Sequence, residues 1–263
     1  MKRILKKLFG SKPGPQRADE AIPIKKTSKD AEAFWQCVYD ARTACYEEHI
    51  GSFPEDILKL PGMMGVWPGG GLYVMSADKL GQDLWVYTTF GMTNSDMPAN
   101  STVTDSEVET DDQGRVVRQA GTLKAKEQAE GPGGVAGYGY EMLVITRENV
   151  DWPLGFMQWT VNAEILNDVG ILKRVEDYNG LTVQEIQVAE SDFVNVLISK
   201  ARHPLPLGRD LPNGRMELLV ATVITDDEME WSMENGRDAL LDKLVAAGVG
   251  QVSERGRKSV LQG

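Results

Sequence analysis

The chain has 263 residues, 41% hydrophobic and 25% charged, enough to fold around one large core or two modest ones. A formal net charge of -11 disfavours DNA or RNA binding, because such a surface repels phosphate backbones and attracts basic partners. No stretch has the apolar length of a membrane span, and the N-terminus lacks the apolar run and small-residue cleavage site of a signal peptide, so membrane insertion and secretion are both disfavoured.

Residues 1–26 read as a basic tail and Pro/Gly linker. Ile4, Leu5, Leu8 and Phe9 fall on one side of a short helix with Lys2, Arg3, Lys6 and Lys7 around it, and Pro13, Gly14 and Pro15 follow. A frayed tail is favoured over a membrane or partner anchor. The first long helix is expected from Thr27 to His49, with Thr27 and Asp30 as a capping pair and Phe34, Val38, Ala41 and Cys45 as its inner stripe. Cys37 and Cys45 are the only cysteines and read as reduced thiols of a cytoplasmic protein. Cys45 and His49 stand four apart, but a closed metal site wants four ligands and the only other histidine is His203, so a buried thiol beside a rim histidine is the favoured reading.

The glycine-rich run Trp67-Pro68-Gly69-Gly70-Gly71 leads into a strand over Leu72 to Ser76, not into a helix, which excludes a phosphate loop. Leu84 to Asn94 is β-branched and aromatic up to Gly91 and predicts a buried strand entering a turn; Gly137 to Ile145 predicts a second strand in the same sheet. Between them, Met97 to Gly134 is a polar excursion that reads as a β-hairpin arm with a hydrated tip. It carries Asp105, Glu107, Glu109, Asp111 and Asp112 and serves either as a contact surface or as a solvated loop.

A second helix is expected from Asp151, with Pro153 in its first turn, to just before Gly170. Strands over Leu181 to Val188, Phe193 to Ser199 and Met216 to Ile224 follow, the last delayed by the proline-rich Arg202 to Asn213. Thr225 and Glu228 form a capping box for a short helix ending near Gly236, and Arg237 to Ala247 forms the last helix. The pattern is α+β, a single domain over 27–263 with a mixed central β-sheet flanked by helices.

Two histidines in the whole chain remove the usual general base, and no nucleophile elbow, metal helix or paired-cysteine motif occurs, so no catalytic, cofactor or metal residue is expected. Glu141 stands out as a carboxylate in an aromatic and aliphatic strand, either on a wet face or held by a partner; a structural acceptor is favoured over a raised-pKa catalyst. Trp85, Tyr87, Tyr138 and Tyr140 suit a binding platform, although strand alternation sends some of them into the core.

The runs Trp85-Val86-Tyr87-Thr88-Thr89-Phe90-Gly91-Met92-Thr93 and Gly137-Tyr138-Gly139-Tyr140-Glu141-Met142-Leu143 resemble the suppressor-of-fused (SUFU) domain pattern "Trp-x-Tyr-x-Thr-Tyr-Gly-Leu-Ser … Gly-x-Gly-Phe-Glu-Leu-Thr". Pro68 to Leu72 and Met216 to Met229 extend the resemblance to roughly 50–260, the size of one domain. It departs at Leu143, at Ile145 and in the long arm. The resemblance implies protein binding without catalysis: animal relatives sequester a transcription factor, and bacterial members look like immunity proteins of polymorphic toxin systems. A basic toxin domain would suit an acidic inhibitor. The alternatives are a small hydrolase or ligand-binding enzyme using Glu141, and a membrane-surface adaptor tethered by the N-terminal basic helix.

Overall fold

The computed structural model describes residues 29–60, 63, 66–111, 116–126 and 134–262. In chain order the elements are α1 (Lys29–His49), β1 (Gly71–Ser76), β2 (Trp85–Phe90), β3 (Ser101–Thr110), β4 (Val116–Ala125), β5 (Val135–Thr146), α2 (Trp152–Val161), a π-helical turn (Asn162–Leu166) and α3 (Ile171–Asp177). The second half continues with β6 (Leu181–Ala189), β7 (Asp192–Lys200), β8 (Arg209–Leu211), β9 (Gly214–Ile224), α4 (Asp226–Asn235), α5 (Arg237–Ala246) and β10 (Val252–Ser253). The main sheet runs β1-β2-β5-β9-β7-β6, with β8 on β9 and β10 on β5. β5 lies parallel to β9 and to β10 and the other pairs are antiparallel, so the sheet is mixed and the fold is α+β. β5 and β9 pair as far as Leu143 and Val220; past that point β10 pairs with the end of β5, and Ser253 Oγ accepts from the Val223 amide at 3.0 Å.

Alternation along the strands sorts the apolar residues onto two faces. Tyr87, Tyr140, Met142, Val144, Val196, Ile198 and Leu219 face α2, the π-helical turn and α3, meeting Phe156, Met157, Val161, Ile165 and Val175. Val86, Phe90, Leu143, Ile145, Leu218 and Val220 face α1, meeting Val38, Cys45, Tyr46 and Ile50, while Leu197 and Ile224 meet Met229, Leu240, Leu241 and Leu244 of α4 and α5. The hydrophobic effect thus clamps the sheet from both sides.

Two sequence expectations need correction. The buried face of α1 is Val38, Arg42, Cys45 and Tyr46; Phe34 is 45% exposed, because the first turns of α1 are exposed through that residue. Thr27 lies outside the described residues. The helix expected from Asp151 to Gly170 ends its α-helical part at Val161, and the π-helical turn that follows turns Glu164 inward. Gly170, at φ +70°, then starts α3, which the sequence pattern did not predict. The arm is a hairpin as expected: β3 and β4 form a separate two-stranded sheet. Its root is closed by the Lys126 amide on Asn100 O at 2.9 Å and by Lys126 Nζ on Asp168 Oδ1 at 2.9 Å.

The C-terminal segment is tied back through Glu228, the acid of the expected capping box. Its carboxylate accepts from the Thr225 amide (3.0 Å), both terminal nitrogens of Arg257 (2.6 Å each) and the Val260 amide (2.8 Å). Burial opposes its charge, yet the Arg257 hydrogen bonds and the amides win and hold its pKa below the ordinary 4.5. A depressed folded pKa contributes stability that is complete above the unfolded value and lost as pH falls through the folded one. The stability difference between the wild type and Glu228→Gln in urea titrations should therefore stay constant from neutrality to about pH 5 and shrink at more acid pH. A difference unchanged to about pH 3 would contradict this.

Candidate functional site

A densely bonded polar group, buried among the described residues, forms where β2 ends. Pairing between β2 and β5 stops at Thr88 and Leu143, and beyond it the Met142 amide turns to Thr89 Oγ1 at 2.9 Å. Gly91, at φ +116°, turns the chain so that consecutive amides converge, a backbone nest for an anion. The anion is the Glu141 carboxylate from β5, wholly buried. It accepts from the Gly91 amide (2.9 Å), the Thr93 amide (3.0 Å), Thr93 Oγ1 (2.6 Å) and Thr89 Oγ1 (2.8 Å), with the Met92 amide at 3.4 Å. A side chain at Gly91 has no room: a Cβ there would lie 2.8 Å from the Gly70 Cα.

The countercharge comes from α1. Arg42, also fully buried, places Nη1 3.7 Å from Glu141 Oε1 and donates to Thr93 Oγ1 (3.0 Å) and Asn94 Oδ1 (2.7 Å), with its guanidinium 4.0 Å over the Phe90 ring. Burial pulls the Arg42 pKa down and the Glu141 charge pulls it back up. Thr93 is the relay, accepting from Arg42 and donating to Glu141. The same turn is held from β5 by the Tyr138 amide on Met92 O (3.0 Å), a contact only a glycine at 137 permits: a Cβ there would come within 2.3 Å of that oxygen. From the β8–β9 turn, Asn213 Nδ2 donates to Thr93 O at 3.0 Å.

This arrangement fixes structure and leaves no place for a substrate. Both oxygens of Glu141 are engaged, and neither Arg42 nor Glu141 exposes any surface. An enzyme reading that rests on Glu141 therefore has no site here. Glu164 acts in the same way on the other side of the sheet, accepting from Tyr140 Oη (2.9 Å) and from the Gly170 and Ile171 amides (3.0 and 2.8 Å).

The expected aromatic platform is not assembled. Tyr87 and Tyr140 are core residues, their hydroxyls bonded to Asn149 and Val150 and to Glu164 respectively, and burial raises both pKa values. Trp85 and Tyr138 are half-buried against the same core, and Tyr138 Oη accepts from the Ala99 amide at the approach to the arm. A buried side chain offers no surface to a partner, and alternation alone did not separate these residues from exposed ones. Asp105, Glu107 and Glu109 stand exposed on β3, Glu109 3.3 Å from Arg118; Asp111 is partly buried, and Asp112 lies outside the described residues. The buried polar group and the arm are separate features. Sequence reasoning missed Arg42, whose signal was its place between Val38 and Tyr46, four residues from each on the buried face of α1. Among the described residues no group of three His, Cys, Asp or Glu side chains is placed to hold a metal ion.

The two segments this polar group joins, Trp85–Thr93 and Gly137–Glu141, lie within a match to the family model for suppressor of fused protein (SUFU), which covers residues 70–258. The chain belongs to this family. A suppressor of fused homologue from Neisseria gonorrhoeae is similar in fold, with a TM-score of 0.50 at 16% identity over 87% of this chain and 97% of that one. Drosophila Suppressor of Fused gives a TM-score of 0.47 at 14% identity over 87% of this chain and 51% of its own. A structure of the Sufu–Fu complex gives 0.47 at 16% identity, covering 87% of this chain and 93% of that one. No curated protein sequence matches significantly. Within the matched segments, Gly91 shapes the nest, Gly137 lets β5 pass close to it, and Glu141 fills it.

Replacing Glu141 by Gln removes the charge from the nest and leaves the Arg42 guanidinium buried without a countercharge. The expected loss of stability is about 3–5 kcal/mol, read from the chemical denaturation midpoint. A midpoint within error of the wild type would show that the carboxylate is not what the nest holds.

Proposed function

We propose that the chain is a protein-binding domain that works without turnover, as an immunity protein neutralising a basic toxin domain of a polymorphic toxin system in the bacterial cytoplasm. The observation that carries this reading is the arm. A two-stranded ribbon stands apart from the main sheet and exposes Asp105, Glu107 and Glu109 beside Val108, Val117 and Leu123. Glu107 and Glu109 share one face of the ribbon and Val108 and Leu123 the other, so the arm offers a basic partner an acidic face and leaves an apolar one behind it.

The family resemblance supports recognition of a protein, and the formal charge of -11 supports a basic one, since long-range attraction raises encounter rates. Cys37 and Cys45 are free thiols, as a reducing compartment allows. No helix among the described residues is long and apolar enough to cross a membrane.

Exposed charges at an interface act mainly on association. With a partner isolated by co-purification, the triple variant Asp105→Asn, Glu107→Gln, Glu109→Gln should associate more slowly than wild type. The gap should be widest at low salt and closed near about 1 M, where charge is screened within about 3 Å, with little change in dissociation. Identical association rates across the salt series would rule out steering by the arm.

A further inference from the structure

Where β7 begins and β9 ends, the main sheet carries a cavity of about 350 Å³ whose lining includes Glu185, Phe193, Asn195, Asp226 and Glu254. A bulge in β6 builds it. The β6–β7 register shifts between Val183 and Ile186, with Glu185 at φ +52°, and the extra residue lets Val183 and Ile186 both keep to the α2 core. The Glu185 amide turns instead onto Asn195 Oδ1 at 2.8 Å, and Asn195 Nδ2 donates to Asp226 Oδ1 at 2.7 Å. One buried amide side chain thus ties the bulge to the first turn of α4 and holds Asp226 in place. Phe193 stands two positions before Asn195 on the same face of β7, and 52% of it is exposed. A large aromatic ring left half uncovered in a cavity of ligand size has contact surface to offer.

Charge decides what fits against it. The two arginines in the lining are already neutralised, Arg255 by Asp192 (Nη1 to Oδ2, 2.8 Å) and Arg257 by Glu228 (Nη2 to Oε2, 2.6 Å). The three carboxylates are not. Among the described residues Glu185 and Asp226 have no cationic partner, and Glu254 has only Arg147 at 3.7 Å, with both side chains 58% exposed. An aromatic face beside unneutralised carboxylates recognises a cation, and a guanidinium uses both, stacking on the ring while its fork of donors meets the acids. The Nε of Arg257, a side chain only 8% exposed, has no acceptor among the described residues. A cation carried on a peptide brings carbonyl oxygens that suit such a donor, which a bare cation does not.

We propose that this cavity takes an arginine side chain of a protein partner, stacked on Phe193 and paired with the carboxylates of Glu185, Asp226 and Glu254. The proposal goes beyond the arm and shares with the reading above only a basic partner. Its test needs neither the arm nor that partner, so the two fail separately.

The probe is N-acetylarginine methylamide, titrated at low salt into the isotope-labelled full chain and followed by the amide resonances of Glu185, Phe193, Asn195 and Asp226. These should shift saturably at about millimolar probe, while the uncharged citrulline analogue leaves them in place and the lysine analogue binds at least about threefold more weakly. Phe193→Ala, and separately Glu185→Gln with Glu254→Gln, change exposed side chains and should each weaken binding by about fivefold or more with the urea midpoint unmoved. No saturable shift at about ten times that concentration would overturn the proposal. So would citrulline or lysine analogues that bind as well as the arginine one, or an affinity that both variants leave unchanged.

Discussion

Two opposite charges buried together, Arg42 and Glu141, are the constraint on which the rest of this structure depends. Desolvating a carboxylate costs several kcal/mol, and an arginine at 3.7 Å does not by itself offset that. The deficit is met by the donors of the turn after β2: the amides of Gly91 and Thr93 and two threonine hydroxyls, each a charge-assisted bond worth about 1.5–3 kcal/mol. Those donors converge only if β2 stops at Phe90, if residue 91 lacks a side chain, and if residue 137 lets β5 pass the turn closely. One carboxylate therefore fixes the end of β2, the crossing of β5 and the seating of α1.

The same device recurs. Glu164 starts α3 and ties it to Tyr140, and Glu228 starts α4 and ties down the C-terminal segment. In each case a buried glutamate satisfies amides that helix starts or turns leave unbonded. Irregular segments around a large mixed sheet are thereby held by polar bonds where apolar packing alone would leave them loose.

Much of this was legible in the sequence where a local rule decides. The β2 and β5 strands, the hairpin arm, the Thr225–Glu228 capping box and the last two helices follow from alternation, turn residues and caps. What was not legible depends on neighbours distant in sequence. Arg42 reads as a charge on a helix, and only Glu141, ninety-nine positions later, makes burying it favourable. Alternation sends some of Trp85, Tyr87, Tyr138 and Tyr140 into the core but does not say which, because it fixes the period of a strand and not which face a helix covers. The π-helical turn that swings Glu164 inward has no sequence signature apart from the buried tyrosine it meets. The arm differs in kind: its bulge at Asp105 decides which residues share a face, and this sorts Val108 from Glu107 and Glu109 in a way strict alternation would misplace.

The body is locked by internal charges, and the arm keeps apolar and acidic groups on its surface. The central claim is that Arg42 and Glu141 act as one unit, and a double-mutant cycle with Arg42→Met and Glu141→Leu tests it most directly. Each single change leaves one buried charge unmatched, so the pair together should cost less than the sum by about 2 kcal/mol or more. Additive losses would mean that the two charges are independent and that the nest alone holds the glutamate.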